Sequence, residues 1–216
     1  MPAGGSSSPS AEALLSILSI AYRGAGGETA TVRLSDGSSF VAPAEVVVRE
    51  GLSTGMELDP ARLSLLHDQS DLALARSSAL RLLSRAPHTR RGLALKLTRR
   101  GFGPAAVEAA IARMAELGYL DDRAFAADWT RSRLAGRAEG WKAVYRGLLA
   151  RGVPRAVAGE AASEACTDEA ELEAARRLAA TLAPGRVAAR LAARGFRSRT
   201  IARIIRELAR PRSGSE

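Results

Sequence analysis

One phrase recurs three times in this chain and limits what it can fold into: Leu97-Thr-Arg-Arg-Gly101-Phe102, Leu148-Leu-Ala-Arg-Gly152-Val153 and Leu191-Ala-Ala-Arg-Gly195-Phe196. Each copy has leucine four residues before the glycine, arginine one before it and an apolar residue one after it. This is the chemistry of a helix end. Glycine takes the left-handed position after the last turn, arginine complements the C-terminal dipole, and the following apolar residue packs back onto the helix. The glycines stand 51 and 43 residues apart, about the length of a two- or three-helix unit. Tandem helical repeats are therefore expected.

Another helix follows each glycine. Val107, Ile111 and Met114 in the first copy and Ile201, Ile205 and Leu208 in the third fall at identical offsets, while the middle copy has the smaller Ala158, Ala162 and Ala165, with Pro154 one residue early. Two helices precede each phrase, over 72–85 and 89–99, 121–135 and 140–150, and 168–182 and 185–193. Nine helices in three groups of three result.

The first seventy residues have another texture. Leu15 to Tyr22 and Thr31 to Leu34 predict strands, and Asp36-Gly37 before Ser39-Phe40-Val41 predicts a hairpin turn. Pro43 to Glu50 predicts a short helix closed by Gly51, and Asp59-Pro60 opens another over 61–67. The fold class is mainly α: three tandem three-helix repeats in an elongated arc, preceded by a small β-hairpin-containing module. The boundaries are a disordered tail over 1–12, the module over 13–70, repeats over 71–120, 121–167 and 168–210, and a second tail over 211–216.

Charge separates the same two parts. The chain carries +9 with a pI near 11.0, divided into −4 over residues 1–70 and +13 over 71–216. A surface this basic suits a polyanionic partner. Three clusters emerge: Arg99 and Arg100; Arg131, Arg133, Arg137, Lys142, Arg146 and Arg151; and Arg194, Arg197, Arg199 and Arg203. In stacked repeats, homologous positions such as Arg100, Arg151 and Arg194 would form a basic track that contacts a partner or DNA. Trp141, beside Lys142, is the candidate exposed aromatic anchor, whereas Phe125 with Trp129 and Trp141 with Tyr145 stand at core-packing i, i+4 spacing. Asp121 and Asp122 read as helix-capping residues and Asp168, Glu169, Glu171 and Glu173 as a solvated first turn.

Little in the sequence supports catalysis. One cysteine, Cys166, and two histidines, His67 and His88, make neither a disulfide nor a cysteine-based zinc site. No phosphate-loop spacing is present, so no catalytic residue, metal or cofactor is expected. The apolar stretch from Ala11 to Ala21 is interrupted by Glu12 and serines and fits neither a signal peptide nor a span, which with the lone thiol points to the cytoplasm.

Ala79-Leu80-x-x-Leu83, Lys96-Leu97-x-x-x-Gly101-Phe102, Leu117-Gly118-Tyr119-Leu120-Asp121-Asp122-x-x-Phe125-Ala126 and Arg131-Ser132-Arg133-Leu134 resemble, in order and spacing, the RecX family of RecA regulators. The later glycine phrases are similar to that family's second and third repeats, and Ile17 to Leu58 to a β-rich extension of some members. The resemblance covers about residues 71–209. It departs at Gly92, where the family usually carries an acid and where glycine costs about 1 kcal/mol of helix propensity. The resemblance implies a monomeric, non-enzymatic modulator that binds RecA and its nucleoprotein filament, limits ATP hydrolysis and strand exchange in DNA repair, and binds single-stranded DNA weakly and without sequence preference. A helix-turn-helix-type DNA-binding protein is the alternative, since short helices joined by tight turns also suit groove recognition.

Overall fold

The structure, a computed structural model, describes residues 14–24 and 26–209. The expected tails over 1–12 and 211–216 lie outside the described residues. Strands β1 (Leu15–Arg23), β2 (Thr29–Leu34), β3 (Ser39–Pro43) and β4 (Glu57–Leu58) form an antiparallel sheet in the order β3-β2-β1-β4. At the β2–β3 turn, Asp36 Oδ1 accepts from the Ser38 N–H at 2.9 Å. Ile17, Ala30, Val32, Leu34 and Ala42 supply the buried side of the sheet, packed with Val46 and Val47 of α1 (Ala44–Arg49) and with Leu66. Pro43 does not enter α1 as expected. With φ −57° and ψ 145° it ends β3, and α1 starts one residue later.

The helices expected at 61–67 and 72–85 are one helix, α2 (Pro60–Leu83), begun by Asp59, whose Oδ1 accepts from the Arg62 N–H at 2.6 Å. The charge changes near Asp71, but Asp68-Gln-Ser-Asp71 holds neither glycine nor proline, so nothing stops the helix there. The chain divides into two compact units, one of residues 1–81 with 97–113 and one of 82–96 with 114–216.

Eight further helices follow: α3 (Arg90–Thr98), α4 (Pro104–Glu116), α5 (Asp122–Arg137), α6 (Trp141–Ala150), α7 (Arg155–Ala165), α8 (Asp168–Ala179), α9 (Pro184–Ala193) and α10 (Ser198–Ala209). The repeated phrase closes α3, α6 and α9 in the same way. Gly101, Gly152 and Gly195 have φ of +91°, +83° and +76°. The N–H of the next residue reaches back to the leucine carbonyl, as in Val153 to Leu148 at 3.1 Å and Phe196 to Leu191 at 3.1 Å. This two-bond end satisfies carbonyls that the helix leaves open, and its apolar pair is the leucine and phenylalanine or valine of the phrase.

Within the second unit the phrase has a further use, which its sequence does not show. The Arg151 carbonyl accepts from Thr89 Oγ1 at 2.6 Å, and Thr89 Oγ1 accepts from the Gly92 N–H at 2.9 Å at the start of α3. A Cβ on residue 92 would stand 2.9 Å from that hydroxyl, which is the room Gly92 provides. The next turn does the same at the start of α6: the Arg194 carbonyl accepts from the Gly140 N–H and the Gly195 carbonyl from the Lys142 N–H, both at 3.0 Å. Gly140 is required by proximity, since a Cβ there would lie 2.3 Å from Phe196 Cα.

Carboxylates complete each joint. Asp121 caps its own helix, accepting from the N–H groups of Arg123 and Ala124, while Asp122 Oδ1 accepts from the Arg90 N–H at 2.9 Å and so caps α3. Glu171 is the counterpart at α6. Expected on a solvated face, it is instead wholly buried, because its Oε1 accepts from the Trp141 N–H (3.0 Å) and the Arg197 N–H (3.1 Å) and its Oε2 from Thr200 Oγ1 (2.9 Å). The other three acids of that stretch, Asp168, Glu169 and Glu173, are exposed.

Candidate functional site

The structure sorts the expected basic track by what each side chain meets. Arg131 pairs with Asp128, Arg199 with Asp168, and Arg203 with Glu207 at 3.5 Å. Arg197 is enclosed by the Cys166 carbonyl (3.0 Å), Asp168 (3.3 Å) and Glu171 (3.6 Å). Arg194 donates to the Arg137 carbonyl at 2.8 Å, and Arg100 donates to Ser78 Oγ. Arg99, Arg137 and Lys142 are exposed. Most of the third-repeat arginines thus serve the helix joints and their ion pairs.

Trp141 is not the exposed anchor that its neighbours suggested. It is half-buried against the α5–α6–α7 core, donates from Nε1 to Ser163 Oγ at 3.2 Å, stacks on Tyr145 at 5.0 Å, and has the Arg197 guanidinium 5.7 Å from its ring centre. Its placement follows from Gly140 and Glu171, which hold the first turn of α6. Cys166 just beyond α7 is also fully buried, and that burial pushes its thiol pKa up to about 12, with the negative Glu171 nearby adding to the effect.

Arg133, Arg146 and Arg151 do come together. They line a cleft of about 420 Å³ between α5 and α6, along with Trp129, Glu139, Ala143 and Gly147. The guanidinium of Arg133 lies 4.8 Å and that of Arg151 4.6 Å from the Trp129 ring centre. Trp129 can lie against α6 because residue 147 is glycine: a Cβ there would be 2.3 Å from Trp129 Cη2. Arg151 donates to the Gly147 carbonyl at 3.0 Å and Arg146 to the Lys142 carbonyl at 3.2 Å, both one turn back on their own helix. Glu139, 3.4 Å from Arg133, is the one carboxylate among the described residues lining the cleft. Burial first, and then the Arg133 charge, lower the Arg151 pKa, with Glu139 opposing. The cleft therefore holds like charges close together on an aromatic floor.

Sequence reasoning placed Trp129 in the core and missed this role. The signal was present in Trp129-x-x-x-Arg133 and Gly147-x-x-x-Arg151, one helical turn each. Among the described residues no group of three or more histidine, cysteine, aspartate or glutamate side chains is placed to hold a metal ion. No described helix is long and apolar enough to cross a membrane.

Comparison with known proteins now bears on this arrangement. A family model for the first three-helix domain of RecX matches residues 75–114, and one for the second three-helix domain matches residues 121–161. Both matched segments are thus similar to the three-helix domains of RecX. Regulatory protein RecX of Thermus thermophilus is 46% identical over 82 residues, which is 38% of this chain and 56% of that protein. Regulatory protein RecX of Thermobifida fusca is 44% identical over 81 residues, 38% of this chain and 44% of that one. The chain spans about half the length of the curated relatives it matches. A crystal structure of regulatory protein RecX superposes with a TM-score of 0.66 at 22% identity, covering 90% of this chain and all of that one, and RecX from Lactobacillus salivarius gives 0.61 at 23% over 64% of this chain and 96% of that one. Those two likenesses show the fold: RecX-type tandem three-helix domains behind a small sheet module. The RecX relatives are named as regulatory proteins.

Proposed function

We propose that this RecX-like chain regulates a RecA-type recombinase by docking its arginine-rich helices on the recombinase's nucleoprotein filament in the cytoplasm. It holds back ATP hydrolysis and strand exchange without chemistry of its own and acts as a monomer. The observation that carries this reading is the coincidence of similarity to the RecX three-helix domains with a net +13 over residues 71–216, part of it without a carboxylate ion pair among the described residues at Lys142 and Arg146. A basic surface of this kind fits a filament that displays phosphates, and its binding should weaken steeply with salt. The ion-paired arginines of the third repeat contribute less to docking, since their charge is already matched.

The test is RecA-dependent ATP hydrolysis on single-stranded DNA with increasing amounts of the chain, alongside direct binding to duplexes of varied sequence. Inhibition by the chain with no discrimination among duplexes is the expected result. Unchanged hydrolysis at saturating chain, or tight binding to one duplex sequence, would refute it and favour the helix-turn-helix alternative.

A further inference from the structure

The α5–α6 cleft combines features that a merely structural arginine cluster does not need. Three guanidiniums and one carboxylate line it, two of those guanidiniums approach the same indole, and α6 gives up a side chain at Gly147 to let the indole in. Glycine in a helix interior costs about 1 kcal/mol relative to alanine, so its presence there needs a reason in the packing of Trp129. Among the described residues, the Arg146 and Arg151 guanidiniums hydrogen-bond to backbone carbonyls of their own helix, and a guanidinium has five N–H donors. Both side chains line a volume of about 420 Å³, within the range of about 300–1,000 Å³ that holds small ligands.

We propose that this cleft is a seat for one nucleotide of single-stranded DNA, its phosphodiester held by Arg146 and Arg151 and its base laid against the Trp129 edge and the Arg133 guanidinium. A phosphodiester offers two non-bridging oxygens that share one negative charge and match the planar donor pair of arginine, and it relieves the repulsion between Arg133 and Arg151. Aromatic and guanidinium planes accept any base, so the seat reads no sequence. Carboxylates of a protein partner would match the charge but offer no flat ring to lie against the indole edge and the Arg133 guanidinium. The proposal deepens the filament reading given above and rests on it.

The experiment follows the tryptophan emission of the full chain during titration with a short oligothymidylate, with inorganic phosphate in a parallel titration. In wild type, saturable quenching by the oligonucleotide and none by phosphate at equal concentration is expected; equal responses would mean an adventitious ion only and overturn the proposal. Trp129→Phe should remove most of the quenching, leaving Trp141 as the reporter that does not respond. Arg146→Glu should weaken oligonucleotide binding about tenfold and Arg146→Glu with Arg151→Glu more, with a shallower salt dependence. Arg186→Glu, an exposed change of equal charge on α9, should weaken it less than threefold. Arg151 packs on Trp129, so helicity is checked for each variant, and Arg146→Glu alone decides if the double variant unfolds. Wild-type oligonucleotide affinity in Arg146→Glu overturns the seat. If that variant still inhibits RecA-dependent hydrolysis, filament regulation stands without it. Loss of inhibition with oligonucleotide binding intact would assign the cleft to the recombinase instead, and also overturn the proposal.

Discussion

Replacing Glu171 by alanine removes one carboxylate that serves three donors, and the loss can be sized from the contacts. The Trp141 and Arg197 N–H groups lie at or beside the starts of α6 and α10, where the helix offers them no carbonyl, and the Thr200 hydroxyl is buried with them. A buried donor without a partner costs about 1–3 kcal/mol. Arg197 keeps Asp168 and the Cys166 carbonyl, so its charge is not stranded, and water entering the vacated space restores part of the rest. A net loss of about 4 kcal/mol is expected, inside the range of about 3–5 kcal/mol for breaking a buried charged network. Glu171→Gln preserves the shape and an accepting oxygen and loses only the charge assistance, about 1–2 kcal/mol. Glu169→Ala, in the same first turn but exposed, should cost about 0.5 kcal/mol. The assay is urea unfolding followed by tryptophan emission, because Trp129 and Trp141 both lie in the unit that contains Glu171. If Glu171→Ala falls within about 1 kcal/mol of Glu169→Ala at unchanged slope, the capping account of this carboxylate is wrong.

Two further outcomes are open to measurement. The Cys166 thiol, at about 12 when folded against 9.0 unperturbed, should resist a thiol reagent at pH 8 until the protein is denatured; since the unfolded chain releases that proton first, the thiol's contribution to stability is complete below about pH 9 and is lost as the pH rises toward 12. Rapid labelling of the native protein would contradict the burial. Gly140→Ala should destabilise the second unit by about 2–3 kcal/mol, because its φ of −83° suits any residue and it is the collision with the Gly195–Phe196 backbone that opposes the methyl group, whereas Gly101→Ala, with nothing within 4 Å, should cost about 1 kcal/mol for its positive φ. Equal melting temperatures for the two would show that the α6 joint yields easily.

The repeats were legible because each ends in a local signal. Leucine, glycine and the next apolar residue specify a helix end with contacts no more than five residues apart, and the hairpin at Asp36-Gly37 is equally local. Helix α2 misled for the opposite reason: a change in net charge is a property of composition and does not interrupt backbone hydrogen bonds, so the break expected at Asp71 fell inside a continuous helix. Glu171 looked like Glu169 and Glu173 because sequence shows the dipole of its own helix but not the turn of another repeat arriving above it. The cleft was half visible. Arg133, Arg146 and Arg151 were marked by charge alone, while Trp129 was assigned to packing, and the glycine that admits it to α6 carried no meaning until both helices were in place.

The joints between repeats also give the array a direction of growth. The first residues of α3 and α6, Arg90 and Trp141, each present an N–H that an acid from the following repeat accepts. The matching helix of the third repeat, α9, begins with Pro184, which has no N–H, and Ala183 before it supplies no side-chain cap. A duplicated unit added after residue 209 would find this socket one donor short, because proline removes the N–H that the two earlier joints offer to an acid.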